Sequence, residues 1–396
     1  MSQKEKLKKL LSSNVEKIIN KESLKSRLLS GKKLRIKHGI DPTSPNLHIG
    51  HAIVLWKLKE FQDLGHKIVL ILGSFTAQIG DPSDKLNKRP FLSKQEVEEN
   101  LKEYKNQIGK ILDASKVEWH KNNEWFKDIS LREFDNLAEL FSVQQMMARR
   151  NFKKRWDNDK EISIRELHYP LYQGYDSVAV KADVEVAGND QLFNILAGRK
   201  IQQAYNQEPQ DILTVKMLTG TDNNKMSKSQ GNVIYISDTP KNQYGKIMSL
   251  QDSLILPYFK LCTNYPKEKV KELEKKLKAG DNPRDIKAKL AYEIVKIYHG
   301  QEKANKAAKE FDRVFKEKKL PKNTFGFKIK EKEYKLADLI KKVGFTKSKS
   351  QARRLIEQGA VRINKKKIND RHFSFVPKGG EIIQVGKKRF IRLEFK

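Results

Sequence analysis

The stretch Lys225-Met226-Ser227-Lys228-Ser229 puts two ammonium groups and two hydroxyls side by side, between Gly220 and Gly231. Cations and hydroxyls on a loop with glycines at either end suit closure over a polyphosphate. About 170 residues earlier stands His48-Ile49-Gly50-His51, directly before an amphipathic stretch. Histidines three apart at a helix start turn both rings to one side. The helix N-terminus adds backbone N–H groups and a positive dipole, which again favours phosphate oxygens. Zinc is a poorer fit, because the i, i+4 spacing of metal-binding helices is absent and no Cys or carboxylate cluster lies nearby. A Gly-x4-Gly-Lys-Ser/Thr loop does not occur, which disfavours P-loop nucleotide chemistry. Tyr169, Gln173 and Asp176 form a third set. Their i, i+4, i+7 spacing describes equally well a pocket wall and the polar face of a surface helix.

The elements that must position these groups follow from periodicity. A strand opening at 34–36 leads into Gly39-Ile40-Asp41-Pro42-Thr43. A helix begins near His48, with Val54, Leu58, Phe61 and Leu64 at helical spacing and Gly65 as its stop. Residues 68–72 read as a buried parallel strand ending at a loop with Thr76, Gly80 and Asp81. Strand, loop, helix, strand is the start of a doubly wound sheet, and Asp183-Val184-Glu185-Val186 and Ile212-Leu213-Thr214-Val215 supply later strands. Ligands in such sheets bind beyond the carboxyl ends of the strands, where these loops gather.

From about residue 240 the strand signals fade. Asn282 reads as an N-cap with Pro283 at the first helical position. Ile286, Leu290, Ile294 and Ile297 then form one apolar stripe, closed by Gly300. A second helix carries Phe311, Val314 and Phe315. A lysine-rich linker near 320–332 precedes two short helices, 336–343 and 348–358, and strands around Val361-Arg362-Ile363 and Ile382-Ile383-Gln384-Val385. The expected fold class is therefore α/β: a Rossmann-like doubly wound parallel sheet, then an all-α domain, then a small α+β module. The boundaries read as 1–238, 239–320 and 333–396.

Charge sharpens the picture. The 396 residues carry a formal net charge of +32. Residues 331–396 hold 19 Lys and Arg against seven Asp and Glu, so net charge per residue there is roughly three times that of the rest. Basic density thus marks a place, and a polyanionic partner is expected at it. Cys262 is the single cysteine, which leaves no disulfide within the chain and no thiolate metal site. The charged start MSQKEKLKKLL does not read as a secretory signal, and the longest strongly apolar run is too short for a bilayer. A soluble cytoplasmic protein with no membrane partner is expected.

Together, in this order, the His48–His51 and Lys225–Ser229 motifs resemble the two signatures of class I aminoacyl-tRNA synthetases. Gly39-Ile40-Asp41-Pro42-Thr43, Ile79-Gly80-Asp81-Pro82, the run Tyr169-Pro170-Leu171-Tyr172-Gln173-Gly174-Tyr175-Asp176 and Gly188-Asn189-Asp190-Gln191 extend the likeness over nearly the whole chain, to the bacterial-type tyrosyl-tRNA synthetase family. That resemblance implies a tyrosine–tRNA ligase that makes tyrosyl-adenylate from ATP and passes the tyrosine to tRNA(Tyr). It implies that Asp176 accepts a hydrogen bond from the substrate phenol, while Tyr169, Gln173 and Asp81 hold the α-ammonium and Gln191 and Thr76 line the pocket. Asp41 and Thr43 would flank the adenylate. The ATP phosphates would meet His48, Gly50, His51 and the loop Lys225, Met226, Ser227, Lys228 and Ser229, with His48, His51, Lys225 and Lys228 as the catalytic donors. Mg²⁺ would arrive with ATP, since no carboxylate cage is evident, and no metal site of the protein's own is expected.

Residues 336–396 resemble a small RNA-binding module, with Lys347, Lys349, Arg353 and Arg354 along or just before one helix. The family also implies a homodimer, with apolar residues near 137–147 contributing. Three positions depart from the family pattern: Lys37 stands where many members, though not one branch, have tyrosine; Ser74 replaces an acidic residue; Asp84 replaces a glycine. Two other readings share parts of these signals: a tryptophanyl-tRNA synthetase, and a noncatalytic RNA-binding protein on a synthetase scaffold. The first lacks a reason for the Tyr169, Gln173, Asp176 set. The second would be expected to have lost a signature histidine or lysine.

Overall fold

A computed structural model of the chain describes residues 2–82, 92–226, 230–315, 325–386 and 389–395. Two compact units emerge, Met1–Ala304 and Asn305–Lys396.

The first unit is built on a six-stranded sheet: β1 (Val15–Ile19), β2 (Arg35–Ile40), β3 (Lys67–Leu72), β4 (Glu118–Lys121), β5 (Val184–Gly188) and β6 (Asp211–Val215), in the order β1-β6-β5-β2-β3-β4. Strands β2 to β6 run parallel, and β1 lies antiparallel on the edge beside β6. From β2 the chain winds outward through β3 and β4, then returns to β5 and β6 on the other side. The order therefore reverses between β2 and β5, where an open α/β sheet has its crevice.

The ladder at that seam has two rungs, Ile36↔Val184 and Lys37↔Glu185. Past them the strands part, and the half-buried His38 ring spans the gap, its Nδ1 2.8 Å from the Val186 carbonyl. The carbonyl can only accept, so Nδ1 carries the proton.

Neighbouring helices follow the sequence signals. His48 caps the helix Ile49–Asp63, whose Ile49, Ile53, Leu55, Leu58 and Phe61 are buried against the sheet. It stops at Gly65, where φ of 90° suits glycine. The helix Ile164–Ala179 starts in a capping box of Ser163 and Glu166. It packs tightly on the helix Leu192–Ala204, since a Cβ at Gly174 would stand 2.5 Å from Ile201 Cδ1 and 3.2 Å from the Gly198 backbone nitrogen. Beyond the sheet come the helices Pro240–Met248, Ile255–Cys262, Lys267–Lys278, Pro283–His299 and Gln301–Phe315, the last being the expected second helix. The Asn282 side chain accepts from the Arg284 N–H as the expected cap, and Ile286, Leu290 and Ile294 are buried.

The described residues of the second unit form two sheets. A five-stranded sheet runs β10-β9-β12-β13-β7, with β7 (Phe325–Ile329), β9 (Val361–Ile363), β10 (Lys366–Ile368), β12 (Ile382–Val385) and β13 (Arg389–Phe395); β8 (Tyr334–Lys335) pairs with β11 (Ser374–Phe375). Helices Leu336–Lys342 and Lys349–Glu357 pack on the sheet through Leu339, Ile340, Ala352 and Ile356. One expectation is corrected here. Residues 325–329, read as lysine-rich linker, form β7, which pairs in parallel with β13. Phe327 and Ile329 alternate with the polar residues and turn to the core, so a two-residue period outweighed the composition.

Two glycines test the packing. Gly174→Ala is expected to lower stability by about 1–3 kcal/mol through overpacking. Gly245→Ala, whose Cβ would meet nothing within 4 Å, is expected to raise it by about 0.5–1 kcal/mol through helix propensity. Thermal unfolding of both variants measures the contrast.

Candidate active site

A cavity of about 260 Å³ opens where β2 and β5 part. Its floor is the helix Ile164–Ala179, which presents Tyr169, Gln173 and Asp176 from one face, as the i, i+4, i+7 spacing required. Its sides are the ends of β2 (Asp41, Thr43) and β5 (Gly188, Asp190, Gln191), the turn after β3 (Gly73, Thr76, Asp81) and the start of the helix Ile49–Asp63 (His48, Gly50, His51). Lys225 and Met226 close one side. Every site residue expected from sequence in the first unit thus lines one cavity, apart from Ser227, Lys228 and Ser229, which lie outside the described residues, as does Asp84.

The polar residues hold one another. Asp41 accepts from Thr76 Oγ1 at 2.7 Å through one oxygen and from the Tyr169 hydroxyl at 2.9 Å through the other. Gln191 Nε2 donates to Asp81 at 2.8 Å. Asn194 Nδ2 reaches both the Gln173 and the Gln191 side-chain oxygens at 3.0 Å. Such a network fixes rotamers before any ligand arrives, which is what a binding site on rigid elements needs.

Asp176 sits at the bottom, 3% exposed, and accepts from the Trp125 indole N–H at 3.0 Å. Burial pushes its carboxyl up to about 7, opposed by the Lys37 charge and by hydrogen bonds from Trp125 and Asn122. An acceptor in an apolar-walled slot selects a ligand that carries a donor there, because one without it leaves the carboxylate unmatched.

His48 and His51 stack with centroids 3.7 Å apart. The Gly50 N–H donates to His48 Nδ1 at 3.1 Å and the His48 N–H donates to His51 Nδ1 at 3.2 Å. Each Nδ1 therefore accepts, and the ring proton of each neutral imidazole lies on Nε2. Burial, with the neighbouring charges of His51 and Lys225, takes His48 down to about 2, and burial takes His51 to about 4. Near neutrality both rings are uncharged Nε2–H donors, and the positive charge of the site comes from lysine and the helix N-terminus.

The two motifs are tied together by backbone. Ile49 N–H donates to the Ile234 carbonyl at 3.0 Å, and Ile236 N–H to the Leu47 carbonyl at 2.9 Å. At the other end of the lysine segment, Thr219 and Lys225 form a β-bridge.

Sequence reasoning missed Asn122, Trp125, His38 and Glu185. The first two come from the short segment after β4, which carries no motif; the last two alternate along β2 and β5 and could have been suspected as polar residues inside buried strands. Ser74 is buried and accepts from the Asn123 N–H at 3.2 Å. In the second unit, Lys347, Lys349 and Arg354 are exposed and Arg353 half-buried on or just before the helix Lys349–Glu357, with Lys349 paired to Asp338. No helix among the described residues is long and apolar enough to cross a membrane.

Residues 29–316 match the family described as tRNA synthetases class I (W and Y), and residues 335–374 match the S4 domain. The chain belongs to these class I synthetases. Its relatives narrow the family to the tyrosine–tRNA ligases. It is 46% identical to the Tyrosine--tRNA ligase of Thermotoga maritima, over 97% of this chain and 96% of that one. It is 40% identical to that of Aquifex aeolicus, over 99% of each. Among solved structures, tyrosyl-tRNA synthetase from Archaeoglobus fulgidus complexed with L-tyrosine has a similar fold (TM-score 0.62, 22% identity, 77% of this chain and 99% of that one).

The raised Asp176 carboxyl has a thermodynamic signature. It binds its proton more tightly folded than unfolded, so the stability it contributes is full below about pH 4 and is lost as pH rises through about 7. Asp176→Asn removes that dependence. Its stability relative to the parent chain should improve between pH 4 and pH 8 by on the order of 4 kcal/mol, read by chemical denaturation across pH.

Proposed function

We propose that this cavity joins tyrosine to ATP as tyrosyl-adenylate, which the protein then transfers to the 3′ end of tRNA(Tyr). As a family member the chain is an aminoacyl-tRNA synthetase, a tyrosine–tRNA ligase. Asp176 carries the assignment of the cavity: a buried acceptor at the floor of the slot, positioned for a phenol hydroxyl. Tyr169, Gln173 and Asp81 receive the α-ammonium, with Gln191 and Thr76 beside them, and Asp41 and Thr43 flank the adenylate. A tryptophan substrate is less well served, since nearby Trp125 already occupies one Asp176 oxygen, and the tyrosine–tRNA ligase relatives favour the same choice.

In activation, a tyrosine carboxylate oxygen attacks the α-phosphorus of ATP in line, the new O–P bond forming as the bond to the leaving pyrophosphate breaks. The nucleophile is already ionised, so no general base is required. Positioning and charge stabilisation supply the rate. His48 and His51 donate from Nε2, Gly50 lets the phosphates approach the helix N-terminus, and Lys225, Met226, Ser227, Lys228 and Ser229 supply donors and charge to the pyrophosphate. Mg²⁺ enters as part of the MgATP substrate. The basic helix with Lys347, Lys349, Arg353 and Arg354 follows tRNA phosphates and adds affinity more than base choice.

We also read the protein as a homodimer. Leu131, Val143, Trp156 and Ile164 are exposed apolar side chains in the insertion between β4 and β5, whereas Leu137 and Met146 are buried within the chain. For the chain's parts, the division into 1–238, 239–320 and 333–396 remains our reading.

Amino-acid-dependent ATP–pyrophosphate exchange tests the reading, with exchange expected for tyrosine alone among the twenty. Lys225→Ala should lower the exchange rate at least tenfold with little change in tyrosine affinity. Replacing Lys347, Lys349, Arg353 and Arg354 by Glu should leave exchange intact and weaken tRNA charging, with the deficit relative to the parent chain largest at low salt and shrinking as salt screens the parent's phosphate contacts.

A further inference from the structure

Lys37 and Glu185 form the last rung before β2 and β5 part. They are 0% and 1% exposed, with Nζ 3.2 Å from Oε2. Taking two charges into the interior is costly unless each remaining donor and acceptor finds a partner. Here they do. Lys37 Nζ donates to the Gln173 carbonyl at 2.9 Å and to Ser177 Oγ at 2.7 Å. Glu185 Oε2 accepts from Gln210 Nε2 at 2.6 Å and from Ser177 Oγ at 3.3 Å, and Oε1 accepts from Gln173 Nε2 at 3.3 Å. Well-packed apolar residues hold a sheet at least as well as a buried ion pair, so stability alone does not account for this one.

Its contacts indicate another use. Lys37 reaches the helix Ile164–Ala179 at residues 173 and 177, the two ends of a single turn. That turn carries the Gln173 and Asp176 side chains into the cavity. Gln173 is held from two sides, by Glu185 and by Asn194. Asp176 is held by Trp125 on one side and sits within the field of Lys37 on the other.

We propose that the Lys37–Glu185 pair is a specificity-determining positioning element, which pins the 173–177 turn so that Asp176 meets the phenol hydroxyl and thereby sets the preference for tyrosine over phenylalanine. This rests on the cavity being the tyrosine site. Lys37 does not line the cavity itself and acts through Asp176 and Gln173. The positive charge also favours the ionised, accepting form of Asp176 against the burial that opposes it.

The decisive variant is Lys37→Met/Glu185→Leu, which removes both charges together and leaves neither stranded. Exchange kinetics are measured with tyrosine and with phenylalanine on the full-length protein, alongside thermal unfolding. The expected result is a protein that still unfolds cooperatively, with a melting temperature lower by several degrees because Ser177, Gln173 and Gln210 lose buried partners, and a tyrosine KM raised about tenfold. Glu185 also steadies Gln173 at the α-ammonium that both amino acids share, so the phenylalanine KM should rise too, but by no more than about threefold, and the preference for tyrosine should fall. Phenylalanine lacks the hydroxyl, so a pocket that had merely loosened would weaken both amino acids alike; that outcome overturns the proposal. An unchanged tyrosine-to-phenylalanine ratio in a folded double variant also overturns it.

Asp176→Ala separates this from the site assignment. If the parent chain prefers tyrosine and Asp176→Ala abolishes the preference, adding the double substitution should cause no further loss. A further, independent loss would show that the pair does not act through Asp176. A parent chain without preference for tyrosine would overturn the site reading, and the inference with it.

Discussion

A parallel sheet admits a ligand only where neighbouring strands separate, and in this protein that separation begins after a single buried charged rung. Up to Lys37↔Glu185, β2 and β5 are ordinary neighbours. One residue later His38 must span to the Val186 carbonyl with its side chain. The opening exposes strand-end backbone and turns toward the sheet's C-terminal edge, where Asp41, Gly188 and the turn after β3 converge. Two charges at the apex of the opening are tolerated because Ser177, Gln173 and Gln210 complete their hydrogen bonds. The crevice and its polar floor are thus one construction.

The side of the cavity lined by the histidines and Lys225 depends on a different coupling. The histidine and lysine motifs are about 170 residues apart in the chain but adjacent in space. Backbone hydrogen bonds of Leu47 and Ile49 with Ile236 and Ile234 set that adjacency without any side chain. Burial strips the histidines of charge while the backbone fixes their tautomers, so they offer directed donors. In the proposed reaction, neutral donors would stabilise developing negative charge without binding the resting substrate as tightly as cations.

Much of this was legible in the sequence. Buried strands such as β3 and β6 announce themselves by continuous apolar runs, and the helix starts by their caps. The pocket wall was legible because Tyr169, Gln173 and Asp176 share a helical face. The edge strands were not. Lys17 in β1 is exposed and Glu118 and Lys121 in β4 are half-buried, and their pattern is that of loops. Trp125 and Asn122 have a role only through a fold that brings them under Asp176. Lys37 stood out as a departure, but its partner Glu185 is a sheet neighbour nearly 150 residues away. Periodicity is local information, whereas the matching of buried charges is not.

The pairing of β7 with β13 has a bearing on how the chain is made. Strand β7 leaves the ribosome about sixty residues ahead of β13, its partner in the sheet. During that interval its backbone N–H and C=O groups have no ladder to join, and closing so long a loop is slow. The sheet of the second unit is consequently completed only when Arg389–Phe395 arrives. By then the sheet around the cavity, whose last strand ends at Val215, has long been synthesised. Vectorial synthesis thus lets the sheet that carries the cavity mature ahead of the unit that contains the S4 domain.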